Sequence, residues 1–439
     1  MKLFKTDFFK SAGTLFSGSL IAQAVSFGAL YFLADLYDPY QFGTLETFVK
    51  LASIGTVVSG LRYELGIVAV DQEKEAQEIT RLSLCLTFIF SFGLFIVMLL
   101  FKQSIADLLK IESPSTLYFV PLAIIMMGST ETLVLWGNRI KKYKEISANR
   151  IAGSASGTVY KLLHPSLEIA GNGLIIGQLL SALVALIHIA IKFPVKIFAT
   201  SRDQLVALVK KHKSFAIYST PGALLNVLAT SMPFFMLAAF DGQGATGHLG
   251  MAYKLTYLPM SMVGMALGQV FFERNARLKK DKTETAAISH QLFNTMFWTA
   301  LIPVVILSVW ADELVPYFLG AKWTEAGIFI QLTIPFYFAM YLTTSFSSAF
   351  VTYDKLKVQL VYNLCFLLIT SGALYAAYSL GLSTRVALAW FCIAGVILRI
   401  GILNYFFYLF GKNLITKTIF AILITGILIY LGFGIKEGF

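Results

Sequence analysis

Residues 116–150 read TLYFVPLAIIMMGSTETLVLWGNRIKKYKEISANR: an apolar run, then five lysines and arginines within twelve residues. The same step from apolar run to basic gap recurs along the whole chain. Basic gaps lie at Lys2 to Lys10, Lys74 to Arg81, Arg139 to Arg150, Lys192 to Lys213, Arg274 to Lys282, Lys355 to Lys357 and Lys412 to Lys417. Together they hold 25 of the 35 lysines and arginines. Between them are gaps almost bare of positive charge, around Asp35 to Tyr40, Lys102 to Ser115, Glu168 to Gly173, Asp241 to Gly247, Ala311 to Lys322 and Gly381 to Arg385. Cytoplasmic loops of membrane proteins carry the excess of Lys and Arg. The alternation therefore predicts a polytopic membrane protein with its N-terminus in the cytoplasm.

Composition agrees. Hydrophobic residues make up 57% of the chain and charged ones 13%, and the mean hydropathy is +0.73, which excludes an ordinary soluble domain of this length. The net charge of +11 is dispersed over seven loops, so it points to anionic lipid headgroups and not to nucleic acid. Cys85, Cys365 and Cys392 all fall inside apolar segments without paired spacing, which argues against disulfides and metal sites. The first apolar stretch runs on past Tyr31, too long for the core of a cleaved signal, so it is expected to remain.

Stretches long enough to cross a bilayer lie at about 11–36, 43–70, 80–101, 116–138, 147–168 and 173–191, then at about 215–240, 248–272, 288–310, 325–350, 358–380 and 385–409. One more follows near 418–435. Residues Leu33 to Gly66 run acidic turn, Gly, then apolar helix with one embedded cation, and Leu237 to Glu273 do the same at an offset of about 205. This predicts an all-α fold of two six-helix lobes related as parallel repeats. The expected division is 1–200 with the cytoplasmic inter-lobe loop 192–214, then 215–410, then an extra hydrophobic segment within 411–439. Whether that last segment crosses or lies at the interface stays open at this point.

Catalytic signatures are missing: the chain has no G-x-S-x-G elbow, no H-E-x-x-H and no Walker A loop. Gly171-Asn-Gly173 with Gly177 has the wrong spacing for a dinucleotide fingerprint, and close helix packing is the better reading. The informative residues are ionisable groups inside the apolar segments. These are Lys50, Arg62, Lys161, Lys254 and Arg399, with His164 and the carboxylates Glu46, Glu64 and Glu131. A charge at the bilayer centre costs from about 3 to well above 10 kcal/mol, so such residues face a wet cavity or pair with one another. Lys50 lies one turn from Glu46, and Arg62, Glu64 and Lys254 lie near helix ends from which they can snorkel. Lys161 and His164 share a polar helix, and Arg399 sits midway along an apolar one, so both places favour a cavity. A partly cationic cavity suits an anionic substrate, phosphate above all.

Several strings carry a family resemblance over about residues 5–410. They are Gln41-Phe-Gly-Thr44, Leu61-Arg-Tyr-Glu-Leu-Gly-Ile67, Gly173-Leu-Ile-Ile-Gly-Gln178, Gly250 to Pro259, and Leu319-Gly-Ala-Lys-Trp-Thr-Glu-Ala-Gly327. With them the chain resembles the Wzx-type lipid-linked oligosaccharide flippases of the multidrug/oligosaccharidyl-lipid/polysaccharide exporter superfamily. The resemblance implies a two-lobed, MATE-like transporter of twelve helices in the bacterial cytoplasmic membrane, needing no cofactor. Its expected cargo is an undecaprenyl-diphosphate-linked sugar repeat unit for lipopolysaccharide or other surface polysaccharide. Its expected partners are membrane lipids, a polysaccharide polymerase and a chain-length regulator. On that reading Arg62, Lys161, His164, Arg399, Lys254 and Lys50 bind substrate, and Glu64 and Glu131 are candidates for ion coupling. The segment near 418–435 departs from the twelve-helix pattern.

Two rival readings remain at this level. A drug exporter of the same superfamily would want buried carboxylates for cationic cargo, whereas the deepest charges here are basic. A polymerase, ligase or scaffold of polysaccharide assembly is a different class; the first two need larger outside loops than this chain offers, and the last does not need cations in mid-membrane.

Overall fold

The computed structural model describes residues 18, 21–167, 169–195, 202–278, 281–411 and 415–437. The basic start Lys2 to Lys10, the head of the first segment, Glu168, residues 196–201 of the inter-lobe loop and Lys412 lie outside the described residues. In chain order the α-helices are α1 (Ile21–Leu36), α2 (Pro39–Ser59), α3 (Gly66–Ala69), α4 (Glu73–Leu108), α5 (Phe119–Arg139), α6 (Tyr143–Leu163), α7 (Gly173–Lys192) and α8 (Arg202–Lys211). Then come α9 (Thr220–Asp241), α10 (Gln243–Leu278), α11 (Lys282–Leu319), α12 (Thr324–Thr344), α13 (Ala349–Thr352), α14 (Leu356–Ser379), α15 (Thr384–Leu409) and α16 (Ile415–Glu437). The described residues contain no strand. Nine of their helices are long and apolar enough to cross a membrane, ten if the bent pair described next counts as one span. The chain is an all-α polytopic membrane protein.

That pair corrects the expectation of one helix over 43–70. Pro39 opens α2 behind an Asp38–Gln41 capping box, and the helix runs apolar to Ser59. Leu61 and Arg62 then take left-handed backbone angles, φ 47° and 59°. Short helical turns follow at Tyr63–Leu65 and Gly66–Ala69, bent by 63° from α2. Arg139, at the end of α5, donates from Nη1 to the Ile67 carbonyl at 2.7 Å and from Nη2 to the Asp71 carbonyl at 2.8 Å, so the broken end has donors for its free carbonyls.

Clustering of contacts divides the chain into Met1–Leu228 and Ala229–Phe439, a cut that falls inside α9. In the first unit α8 docks on α4 and on the turn at Tyr63–Leu65. Leu208 is buried with Tyr63, Ile67, Ile79 and Phe193, and Tyr63 Oη donates to the Val209 carbonyl at 3.2 Å. Helix α6 is long enough to cross but is not among the helices apolar enough to do so. Its polar groups are turned to protein instead. Ser154 donates to the Ala22 carbonyl of α1 and meets Ser26, while Asn149 bonds the Ala185 carbonyl of α7. Polar side chains in a spanning helix are tolerated in that way, with partners found across the helix pair.

In the second unit α12 is the hub. Helices α10, α11 and α15 pack on it, and its own Phe329, Ile330, Ile334 and Tyr337 are buried. Helix α16 runs along α11. Gly411, just before it, touches the stem of Lys282 at one end of α11. At the other end Gly432 packs on Val309, and Lys436 Nζ reaches both Asp312 oxygens at 2.7 and 2.8 Å. Helix α16 thus pairs with α11 along much of its length, while its described apolar stretch, Ile424–Lys436, is shorter than the candidate spans.

Taken one at a time, the two units use the same partners. In the first, α2 packs on α4 and α5, α4 on α5, α5 on α7, and α6 on α7. In the second, α10 packs on α11 and α12, α11 on α12, α12 on α15, and α14 on α15. These pairings correspond helix by helix; in the first unit α5 also packs on α6 and α2 on α7. The α1–α6 contact through Ser154 is matched by α9 against α14, where Phe240 stacks on Tyr378 at 4.4 Å.

Candidate functional site

Small residues make the crossing of α6 and α7 tight enough to half-bury a lysine. A Cβ on Gly157 would stand 2.6 Å from the Gly177 carbonyl, and one on Gly153 would stand 3.1 Å from the Ser181 carbonyl. Glycine lets the backbones approach that closely. The stem of Lys161 lies across Gly177, where a Cβ would meet its Cγ at 2.5 Å. Its ammonium donates to Gln178 Oε1 at 3.2 Å, and Tyr37 Oη donates to the Lys161 carbonyl at 2.7 Å. One turn on, His164 is buried against Gly173, and its ring lies 5.6 Å from that of Tyr160. Among the described residues His164 Nε2 is buried without a hydrogen-bond partner. Asn172 fastens the approach to α7, accepting from Leu174 N and donating to the Gln41 carbonyl. The Gly-Asn-Gly string is thus a packing device, as its spacing suggested.

The break after α2 places the second group. Arg62 Nη1 lies 3.6 Å from Glu64 Oε1, and the charge of Glu131 on α5 interacts with that of Arg62. Arg62 thus has a carboxylate partner within the protein. Arg62 Nε and Glu64 Oε2 are both buried without hydrogen-bond partners among the described residues. Lys50 lies three turns earlier on α2, one turn from a buried Glu46.

In the second unit Lys254 sits on α10 beside an aromatic cluster. Tyr253, Tyr257 and Tyr337 have ring centroids 5.2 to 5.8 Å apart. Arg399 on α15 lies close enough to this cluster for its charge to act on Tyr257. Its guanidinium carbon lies 4.7 Å over the Phe366 ring, and Nη1 is 3.4 Å from Thr343 Oγ1. It borders a cavity of about 240 Å³ between α11, α12, α15 and α16.

Sequence reasoning missed the supporting shell. Tyr37, Gln178 and Asn172 act on Lys161 and the α7 entrance from positions that no local pattern marks. One signal was present and finer than the repeat first noticed. Gly43, Leu45, Lys50 and Leu51 recur at the same spacing as Gly247, Leu249, Lys254 and Leu255. The two lysines therefore occupy the same register on α2 and α10, one in each unit.

These features define a class before any family: an all-α polytopic membrane transporter fold, built from two units of like design, with basic side chains inside spanning helices. The sequence pattern of the polysaccharide biosynthesis protein family matches residues 32–327, and the chain belongs to that family. It is 20% identical over 305 residues to the lipopolysaccharide biosynthesis protein WzxC of Escherichia coli (strain K12). That match covers 68% of this chain but only 61% of WzxC. Among solved structures, the lipid II flippase MurJ in an inward closed conformation aligns with TM-score 0.68 and 12% identity, over 99% of this chain and 98% of MurJ. An inward-facing MATE-family multidrug transporter of the MOP superfamily aligns with TM-score 0.61 and 15% identity, over 90% of this chain and 93% of that one. The superfamily resemblance drawn from the residue strings holds.

Proposed function

We propose that this protein is a flippase of the bacterial cytoplasmic membrane, moving undecaprenyl-diphosphate-linked oligosaccharide repeat units from the inner to the outer leaflet for surface polysaccharide synthesis. The observation that carries this reading is a cation held inside a spanning helix at the same register of both units, Lys50 and Lys254, in a member of a polysaccharide biosynthesis family. Arg62, Lys161 and His164 extend the basic character of the first unit. Glycan hydroxyls moved into hydrocarbon without partners cost several kcal/mol each, so spontaneous crossing is negligible. Alternating access to a polar site replaces water for sugars and diphosphate while the polyprenyl chain stays in lipid. No bond is made or broken, so the role is transport and not catalysis. Glu64 and Glu131, close to the charge of Arg62, are the groups through which an ion would be coupled. A polymerase and a chain-length regulator are the partners that would receive the product.

The test is a deletion strain complemented with wild type or variants. Without the protein, lipid-linked repeat units should accumulate on the cytoplasmic face while surface glycan disappears. Absence of the repeat units themselves would mean that the protein makes them and does not move them. Lys50→Ala, Lys254→Ala and Arg62→Ala at normal membrane abundance should each lower surface glycan strongly. Full display by all three would remove the cationic site from the proposal.

A further inference from the structure

The turn that carries Arg62 is clasped at both ends. Leu61 and Arg62 hold left-handed backbone angles that neither residue favours, and such angles persist only where the surroundings impose them. Arg139 secures the far end, at the Ile67 and Asp71 carbonyls. The near end rests on α8. Tyr63, next to Arg62, is fully buried, and its Oη donates to the Val209 carbonyl at 3.2 Å. Helix α8 is itself fixed by one carboxylate. Glu75 Oε1, in the first turn of α4, accepts from Lys211 Nζ at 2.5 Å and from His212 Nε2 at 2.7 Å. The Lys211 side chain is 62% exposed, so its pair adds little. Those of Glu75 and His212 are 14% and 15% exposed, which makes theirs the sheltered contact. The His212 ring then stacks on Phe215 with centroids 6.2 Å apart, and a Cβ on Gly66 would stand 3.2 Å from the Phe215 ring. Val209, His212 and Phe215, three residues apart, thus deliver one contact each to Tyr63, Glu75 and Gly66. All of these contacts lie within the first unit.

We propose that Glu75 is a positioning residue for Arg62: by gripping His212 it docks α8, and docked α8 holds Tyr63 and the left-handed turn that presents the Arg62 guanidinium to substrate. The role rests on the reading of Arg62 as a substrate-binding group, and Glu75 itself acts only through α8. It is tested on the full-length protein, first without transport. Nitroxides on Val68→Cys and Val206→Cys, both exposed positions, in a background free of other cysteines should give one narrow distance. Adding Glu75→Gln or His212→Leu should broaden it. His212→Gln should keep it narrow, because the amide can donate where Nε2 does. In the same background Arg62→Cys reports the turn itself. Its rate of reaction with a methanethiosulfonate reagent should change at least about twofold on adding Glu75→Gln or Tyr63→Phe, the low end for residues coupled through contact. In the deletion strain, Glu75→Gln, His212→Leu and Tyr63→Phe should each lower glycan display at normal membrane abundance, and His212→Gln should retain it. An unchanged distance in Glu75→Gln and His212→Leu, an unchanged rate at position 62, full display by Glu75→Gln, or abundance lost in step with display would overturn the proposal. Failure of the wild type itself to restore display would overturn the flippase reading and this role with it, so the two failures are told apart.

Discussion

Arg62 keeps a left-handed backbone that costs a residue bearing a Cβ about 1–2 kcal/mol, and its charge is tied to Glu64 and Glu131. Two substitutions separate the roles. Arg62→Ala loses the charge and keeps the strain, whereas Arg62→Gly loses the charge and relieves the strain. We therefore expect Arg62→Gly to melt higher than Arg62→Ala, by an amount equal to about 1–2 kcal/mol, with both equally poor in glycan display. If the two melt alike, backbone strain is not stored at this position. Lys161 allows a similar division. Lys161→Met keeps the stem over Gly177 and removes the ammonium, so abundance should hold while display falls; Lys161→Ala should lose some of both. Membrane fractionation and surface-glycan staining on the same cultures read the two effects. That these residues mattered was legible in the sequence, because a charge within an apolar run is conspicuous. Their partners were not. Tyr37 and Gln178 reach Lys161 from other elements, and only tertiary structure brings them there.

At the scale of elements, the α6–α7 crossing depends on backbone-to-backbone approach. Gly157→Leu would drive a side chain into the Gly177 carbonyl, which has no way to yield, and overpacking of this kind costs about 1–3 kcal/mol. We expect reduced membrane abundance for Gly157→Leu, measured against Gly244→Leu, where a Cβ meets nothing within 4 Å. Equal abundance of the two variants would mean that the crossing can part without loss. Hydropathy located most of the spanning segments, since long apolar runs have few other readings. It failed at the break after α2. Gly60, the C-cap of α2, is a local mark of the stop, but Leu61-Arg62-Tyr63 contains neither proline nor glycine to announce two left-handed residues. The bend is held from outside the segment, by Arg139 on the carbonyls of Ile67 and Asp71 and by α8 against Tyr63. Helix α6 posed the opposite problem. Its polar residues suit either protein or a wet cavity, and in the structure Ser154 is bonded to α1.

For the whole molecule, the charge pattern sets a topology that reporter fusions can check. Fusions after Lys142, Lys211 and Lys280 should read cytoplasm, and those after Gln103, Gln243 and Asp312 the outside. Because α16 ends at Asp312, a single cysteine placed at Ile435 in a cysteine-free background should react with an impermeant reagent added outside. Labelling only after lysis would place α16 otherwise. The repeat was visible as a rhythm of turns and cations. The corresponding helix partners within each unit come from packing, which sequence carries only in aggregate. Three helices also exceed their task. Helices α4, α10 and α11 have 36, 36 and 38 residues, about 54–57 Å at 1.5 Å per residue, against a hydrocarbon core of about 30 Å. Even when tilted they stand clear of lipid on the side of the basic loops, where α4 and α11 begin with Glu73, Lys74, Glu75, Lys282 and Glu284. For electron imaging this matters. A membrane particle of 48.5 kDa is usually hidden by its micelle, but rods projecting beyond the detergent belt would give each image a visible top and bottom.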